Sequence, residues 1–234
     1  MNGLPISDDV REVAWRFVVG AGVGSVVGVV IGGLGGRVAM LVLRVGSSDA
    51  VRGATTDDGF VIGRFSASTF FLLLVTGGLG AATGVAYVAA RDALPSRGRA
   101  VFVGVVLALM SGASTVDASS FDFSALEPKE FAVATFVVLP GIAAATIVGV
   151  TDRLLVVQPW SSPSLAVVLG MAALVLNVVL VVVVVLAGVA VALRRAPVLA
   201  GRVQAVARVA LPVLLVALAA RSGLELWRDA TAVL

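Results

Sequence analysis

The sequence predicts an all-α fold, a polytopic transmembrane helical bundle, and three observations carry that prediction. Of 234 residues, 59% are hydrophobic and 13% charged, with mean hydropathy +1.09. Such a chain has too few polar side chains to give a globule of its size a wetted surface. Its apolar residues fall into about six runs, most of them near the roughly 20 residues that cross a hydrocarbon core of about 30 Å. All three tryptophans lie just outside a run: Trp15 before the first, Trp160 before the fifth and Trp227 after the sixth. Amphipathic rings take that place at the headgroup level.

The runs are residues 17–36, 66–90, 100–115, 131–150, 165–193 and 203–223, read as one integral membrane domain over 1–234. Asp9 and Glu12 ahead of the first suit a helix start, where carboxylates meet orphan backbone N–H groups and the positive end of the dipole. These acids, with Asp8 and Arg11, do not resemble the basic n-region of a secretory signal, and no cleaved signal is expected. The third run is the shortest. The fifth, at 29 residues, spans about 43 Å as a helix and must tilt or project from the bilayer.

The first run carries glycine at every fourth position, Gly20, Gly24, Gly28, Gly32 and Gly36. A stripe without side chains lets another helix approach backbone to backbone, where dispersion and Cα–H contacts replace the hydrophobic drive that lipid cannot supply. The stripe reads either as tight packing within the monomer or as a sliding, pore-lining or dimer-forming surface. Run two repeats it in part at Thr76, Gly80 and Gly84. Arg37 follows the stripe directly; if the helix continues to Leu43, its guanidinium sits at the hydrocarbon edge and needs a carboxylate or carbonyls. Asp57, Asp58 and Asp122 are the candidate partners, and snorkelling to the interface is the alternative.

Between runs one and two, Asp57-Asp58-Gly59 is flanked by Thr55-Thr56 and Phe60-Val61-Ile62. That pattern reads as a tight turn in which Gly59 supplies positive φ; the adjacent acids are otherwise a candidate cation site. Asp58-Gly59 with Arg64 departs from the signature of CDP-alcohol phosphotransferases, because Arg64 is displaced and no Asp follows between Phe65 and Tyr87. In the acidic connection 117–130, Ser124 with Glu127 has capping-box spacing and Pro128 suits a first turn. Asp122 lies between Phe121 and Phe123, where desolvation favours holding a proton, unless the rings dip into lipid and the carboxylate faces water.

Pro140 lies within the fourth run and Pro212 within the sixth; each removes a backbone donor and kinks its helix. Asn177 is the strongly polar side chain at the centre of run five, suited to an interhelical hydrogen bond worth roughly 0.6 to 2 kcal/mol. Run two ends Gly84-Val-Ala-Tyr-Val-Ala-Ala-Arg91 before Pro95, and run five ends Gly188-Val-Ala-Val-Ala-Leu-Arg194-Arg195 before Pro197. Similar basic hairpins three spans apart are what a 3+3 inverted repeat produces, and so Ala/Val-rich a chain also yields such matches by chance. Six spans with the N-terminus inside place Arg11, Arg16, Arg91, Arg97, Arg99, Arg153, Arg221 and Arg228 on the inner side and nine cations outside. The positive-inside rule then gives no orientation.

Composition excludes several classes. The net charge of +3 arises from 16 Arg and one Lys scattered at run ends, without the basic stripe of a nucleic-acid binder. There is no Cys and no His, which removes disulfides, zinc sites on nitrogen or sulfur, and Ser-His or Cys-His nucleophiles. No catalytic residue, cofactor or metal is assigned, and an enzyme is not expected.

The segments Gly32-Gly33-Leu34-Gly35-Gly36-Arg37-Val38-Ala39-Met40 and Gly53-Ala54-Thr55-Thr56-Asp57-Asp58-Gly59-Phe60-Val61-Ile62-Gly63-Arg64-Phe65 resemble a family of uncharacterised multi-pass membrane proteins of actinobacteria. Phe121-Asp122-Phe123 through Pro128 and Leu139-Pro140 are similar to the same family. The resemblance covers roughly the first two thirds of the chain and implies class and source, with no activity or site residue attached.

The expected function is a transport or pore-type protein for a small solute or ion in the cell membrane. Its candidate binding residues are Arg37, Asp57, Asp58, Asp122 and Asn177. The alternative is a non-catalytic assembly or scaffold subunit that packs on a membrane-protein partner or a second copy through its glycine helix. Transport requires a polar, water-reachable cavity between spans bordered by Pro140, Pro212 or Asn177; the scaffold requires Gly20, Gly24 and Gly28 on an exposed face.

Overall fold

A computed structural model of the chain describes residues 8–46, 67–116, 128–157 and 197–233. All regular structure in them is helical. The first helical rod comprises α1 (Asp8–Val27), a π-helical stretch (Gly28–Gly35) and α2 (Gly36–Gly46). It is followed by α3 (Ala67–Ala90), a 3-10 turn (Arg91–Ala93), α4 (Arg99–Thr115), α5 (Lys129–Val157) and α6 (Pro197–Val233). Four helical stretches are long and apolar enough to cross a membrane, Arg11–Gly46, Thr69–Ala93, Lys129–Val156 and Arg208–Val233, and Arg99–Thr115 is a shorter apolar helix.

The observed helices match the second and third runs to within one or two residues and extend the first, fourth and sixth. The first rod continues ten residues past Gly36, because Arg37 to Arg44 is itself amphipathic and buries Ala39 and Leu43, one turn apart, on one face. Pro197 is the first residue of α6, where its missing N–H costs nothing. Pro140 and Pro212 are accommodated inside α5 and α6. The fifth run and Trp160 lie outside the described residues.

The rod and α3 are antiparallel and touch through backbone. A Cβ added at Gly20 would meet the Gly84 carbonyl oxygen at 2.7 Å, and one at Gly24 or Gly28 would fall on the carbonyl oxygen of Gly80 or Thr76. Ser25, buried, donates across this seam to the Gly77 carbonyl at 3.3 Å. The seam departs from a strict four-residue repeat beyond Gly28. A Cβ at Gly33 would meet Leu73 Cδ2 at 2.6 Å, whereas Gly32 has looser contact at 3.3 Å and Gly36 has nothing within 4 Å. The π turn explains the shift: its wider turn advances the contact face by five residues, from Gly28 to Gly33, instead of four. Gly32 and Gly36 are thus displaced from the packing line expected of them. Gly20, Gly24 and Gly28 are buried against this chain's own α3, which removes the exposed glycine face that the scaffold alternative required.

A second antiparallel pair, α4 with α5, repeats the device. A Cβ at Gly104 would lie 2.9 Å from the Gly141 carbonyl oxygen, and one at Gly141 3.0 Å from that of Gly104. Next to α4 lies α6, and the two run parallel. Leu215 joins the cluster of Tyr87, Leu94 and Val148 at the α3–α4 hairpin end, and Leu226 and Val233 join Val116 at the far end. Six single crossings would run the sixth helix antiparallel to the third. The observed direction instead brings Val157 and Pro197 to the same, hairpin end of the bundle, which also departs from the pairing of a 3+3 inverted repeat.

Gly24→Val and Gly80→Val are each expected to lower stability by about 1–3 kcal/mol, the cost of overpacking a closed contact. Gly36→Ala and Gly149→Ala meet open space and are expected to be neutral or stabilising, up to about 1 kcal/mol from helix propensity. Thermal unfolding in detergent measures all four, and equal losses at Gly24 and Gly36 would contradict the seam.

Candidate functional site

The two glycine-sealed pairs, the rod with α3 and α4 with α5, border a half-open cavity of about 590 Å³ between them. The rod contributes Gly28, Gly32, Gly36, Ala39, Met40 and Leu43 to its wall, and α3 contributes Leu72 through Thr83. From the second pair come Leu107, Met110, Ser111 and Ser114 of α4 and Thr135 through Ile147 of α5, Pro140 among them. Most of these positions lie away from the α3–α4 hairpin, while Thr83 and Ile147 carry the lining toward the hairpin end. Gly28, Gly32 and Gly36 leave bare backbone over part of the rod's wall, beside the side chains of Ala39, Met40 and Leu43.

Both ends of the cavity are packed. At the hairpin end Tyr87, Leu94 and Val148 are buried together with Ala90, Phe102 and Val103 around them. Outside that plug an ionic cluster ties three helices. Arg91 Nε donates to Asp152 Oδ1 at 2.7 Å, Arg99 Nη1 lies 3.8 Å from Asp152 Oδ2, and Arg99 Nε donates to the Pro95 carbonyl at 3.0 Å. At the far end Leu43, only 2% exposed, packs with Val116, Ala132, Leu226 and Val233.

No charged residue is among the described residues lining the cavity; its polar groups are hydroxyls. Thr76 donates to the Leu72 carbonyl at 2.8 Å, Thr83 to Leu79 at 2.9 Å, Ser114 to Ser111 at 2.9 Å and Thr135 to Phe131 at 2.7 Å. The protons of these four are thereby held by the helix's own backbone, while their lone pairs remain to accept, and Ser111 adds a fifth hydroxyl to the wall. The walls therefore suit a compact, largely apolar molecule that carries a hydrogen-bond donor, and they offer nothing that compensates a full charge.

Of the residues singled out in the sequence, Arg37 lies in the first turn of α2, next to the cavity-lining Gly36. Its Nε and Nη2 are shielded within the protein, unlike those of a side chain reaching for the headgroups. Asp57, Asp58, Asp122 and Asn177 lie outside the described residues. Pro140 borders the cavity, as the transport reading required, but the lining is mainly apolar where that reading called for a polar one, and Pro212 is not part of the described wall. Among the described residues no group of three or more potential metal ligands converges.

Sequence reasoning passed over Asp152, Arg91 and Arg99 as a unit, because each reads alone as an ordinary charge at the end of an apolar run. The available signal was position, since Asp152 is the one acid between Phe131 and Val157. The cavity hydroxyls recur at roughly helical spacing, as in Thr76 and Thr83 or Ser111 and Ser114, but the pattern becomes informative only when the helices that carry it are known to face one another. No family model, curated protein or solved structure matches this chain.

Asp152→Asn leaves two partly buried guanidiniums without their shared carboxylate. The expected cost is about 1–2 kcal/mol, between a surface pair and a buried one. A double-mutant cycle with Arg91→Gln, read by thermal unfolding, is expected to show a coupling of at least about 0.5 kcal/mol; additive effects would mean that the pair carries no stabilisation.

Proposed function

We propose that this is a multi-pass cell-membrane protein that binds a small, largely apolar solute between its two helix pairs, as a transport or pore-type protein does. The observation that carries the reading is the cavity at Pro140. Its volume of about 590 Å³ is within the roughly 300–1,000 Å³ typical of small-molecule sites. A mainly apolar lining, hydroxyl acceptors on α3, α4 and α5, and no charged group among the described lining residues support a neutral solute over an ion. The proposal includes an actinobacterial source, on the resemblance carried by Gly32 to Met40 and Gly53 to Phe65 and on the preference for Arg over Lys.

The test uses N-phenyl-1-naphthylamine, a neutral apolar probe with one N–H donor, on the purified protein in detergent. Saturable binding is expected in the native protein. At least tenfold weaker binding is expected in Ala143→Phe, which puts a ring into the cavity from α5, and its thermal midpoint should stay within a few degrees of the native value. Equal binding by both proteins would sink the cavity assignment. A potassium or chloride conductance of the protein in planar bilayers would instead favour an ion pore.

A further inference from the structure

We infer that the cavity is filled sideways from the hydrocarbon of the bilayer, through a mouth between α3 and α4, and that its solute is an uncharged amphiphile with a hydroxyl head and an apolar body. The inference rests on the small-solute reading above and adds to it the route and the chemical class.

The cavity is half-open, and the exposure of its lining shows where. Among the described lining residues the exposed ones are Leu79 of α3, at 64%, and Ser114 of α4. They stand on the two helices that the hairpin joins, and those helices part beyond it. α3 packs on the rod and on α5, α4 packs on α5 and α6, and α3 and α4 share no extended contact.

The depth of this mouth decides what can reach it. Leu79 lies near the middle of the apolar stretch Thr69–Ala93, which in a membrane-spanning chain is the level of the lipid tails. Ser114 is in the last turn of α4, toward the far interface. Along the bundle axis Tyr87, Leu94 and Val148 close the hairpin end, and Leu43 with Val116, Ala132 and Leu226 closes the other. A solute arriving from water along that axis meets one of these plugs; a molecule dissolved in the bilayer meets the opening directly.

The lining selects among such molecules. It is mainly apolar, and no charge among its described residues compensates an ion that has shed its hydration. Thr76, Thr83, Ser114 and Thr135 have given their protons to backbone carbonyls, which leaves acceptors for a donor to meet. A hydroxyl supplies that donor without bringing charge. Ser114 and Thr135, near the ends of their helices, put two of the acceptors at the interfacial end of the cavity, where the head of an amphiphile lies when its body points to mid-membrane.

The absence of native Cys allows a single bimane label on the full chain, at Ala143→Cys on the α5 wall or, as a second variant, at Leu107→Cys on the α4 wall. Val105→Cys, 53% exposed and outside the lining, reports ordinary lipid contact. In vesicles of phosphatidylcholine brominated at mid-chain, the lipid is expected to quench both cavity labels at least half as strongly as the Val105→Cys label, while aqueous iodide quenches neither. Iodide quenching of both cavity labels, or no bromolipid quenching of them, would overturn lateral entry. No bromolipid quenching of the Val105→Cys label would mark failure of the membrane reading itself. For the class, dodecan-1-ol is expected to displace N-phenyl-1-naphthylamine from the native protein in detergent at a mole fraction at least tenfold lower than dodecyl methyl ether or dodecanoate. Equal displacement by all three would overturn the hydroxyl assignment, and a native protein that binds no N-phenyl-1-naphthylamine would instead sink the small-solute reading on which the inference rests.

Discussion

Everything else in the bundle depends on the contact between α1 and α3, where two backbones meet with no side chain between them. In water, helices associate to remove apolar surface from solvent; in lipid that drive is absent, because the tails are as apolar as the side chains. What remains is close packing, interhelical hydrogen bonds and weak Cα–H contacts, all of which fall off steeply with distance. Gly20, Gly24 and Gly28 against Gly84, Gly80 and Thr76 bring the axes near enough for these terms to add up, and Ser25 supplies a hydrogen bond across them.

The same constraint shapes the cavity. Each helix pair is held tightly along its own glycine line, so imperfect fit collects between the pairs. There the rod turns π-helical and exposes bare backbone over part of its wall, and Pro140 interrupts the hydrogen-bond ladder opposite. The hairpin end is joined by Asp152 with Arg91 and Arg99, and the far end by Leu43 among apolar neighbours. One closure is ionic and geometrically specific; the other is apolar and adaptable. A mainly apolar cavity in which Thr76, Thr83, Ser114 and Thr135 have committed their protons to backbone is selective by chemistry as well as by size, since it rewards a donor and leaves a charge uncompensated.

How far the sequence reached depended on whether a feature is local. Helical class, the positions of the second and third helices and the glycine contact at Gly20, Gly24 and Gly28 follow from hydropathy and residue size along a single segment. The continuation of the rod through Arg37 was a conditional expectation, and the amphipathic face of Ala39 and Leu43 meets the condition. The contact face moved from Gly32 to Gly33 because a π turn changes which residues share a side, and a fixed four-residue spacing cannot register that. Asp152 was invisible as a partner because pairing across 61 positions with Arg91 has no local trace.

By itself, then, the sequence determined that this is a bundle of apolar helices, which helix carries a side-chain-free face, and that chemistry based on thiols or imidazoles is absent. Those properties are sums over composition or repeats within one helix. Only the tertiary structure decided which helix fills the glycine face, where the hydroxyls of α3, α4 and α5 converge, and that α6 runs parallel to α4. Each of these is a relation between segments far apart in the chain. Lipid gives every apolar helix face nearly the same solvation, so hydropathy cannot choose among neighbours, and the choice falls to shape and to the few polar groups that must meet.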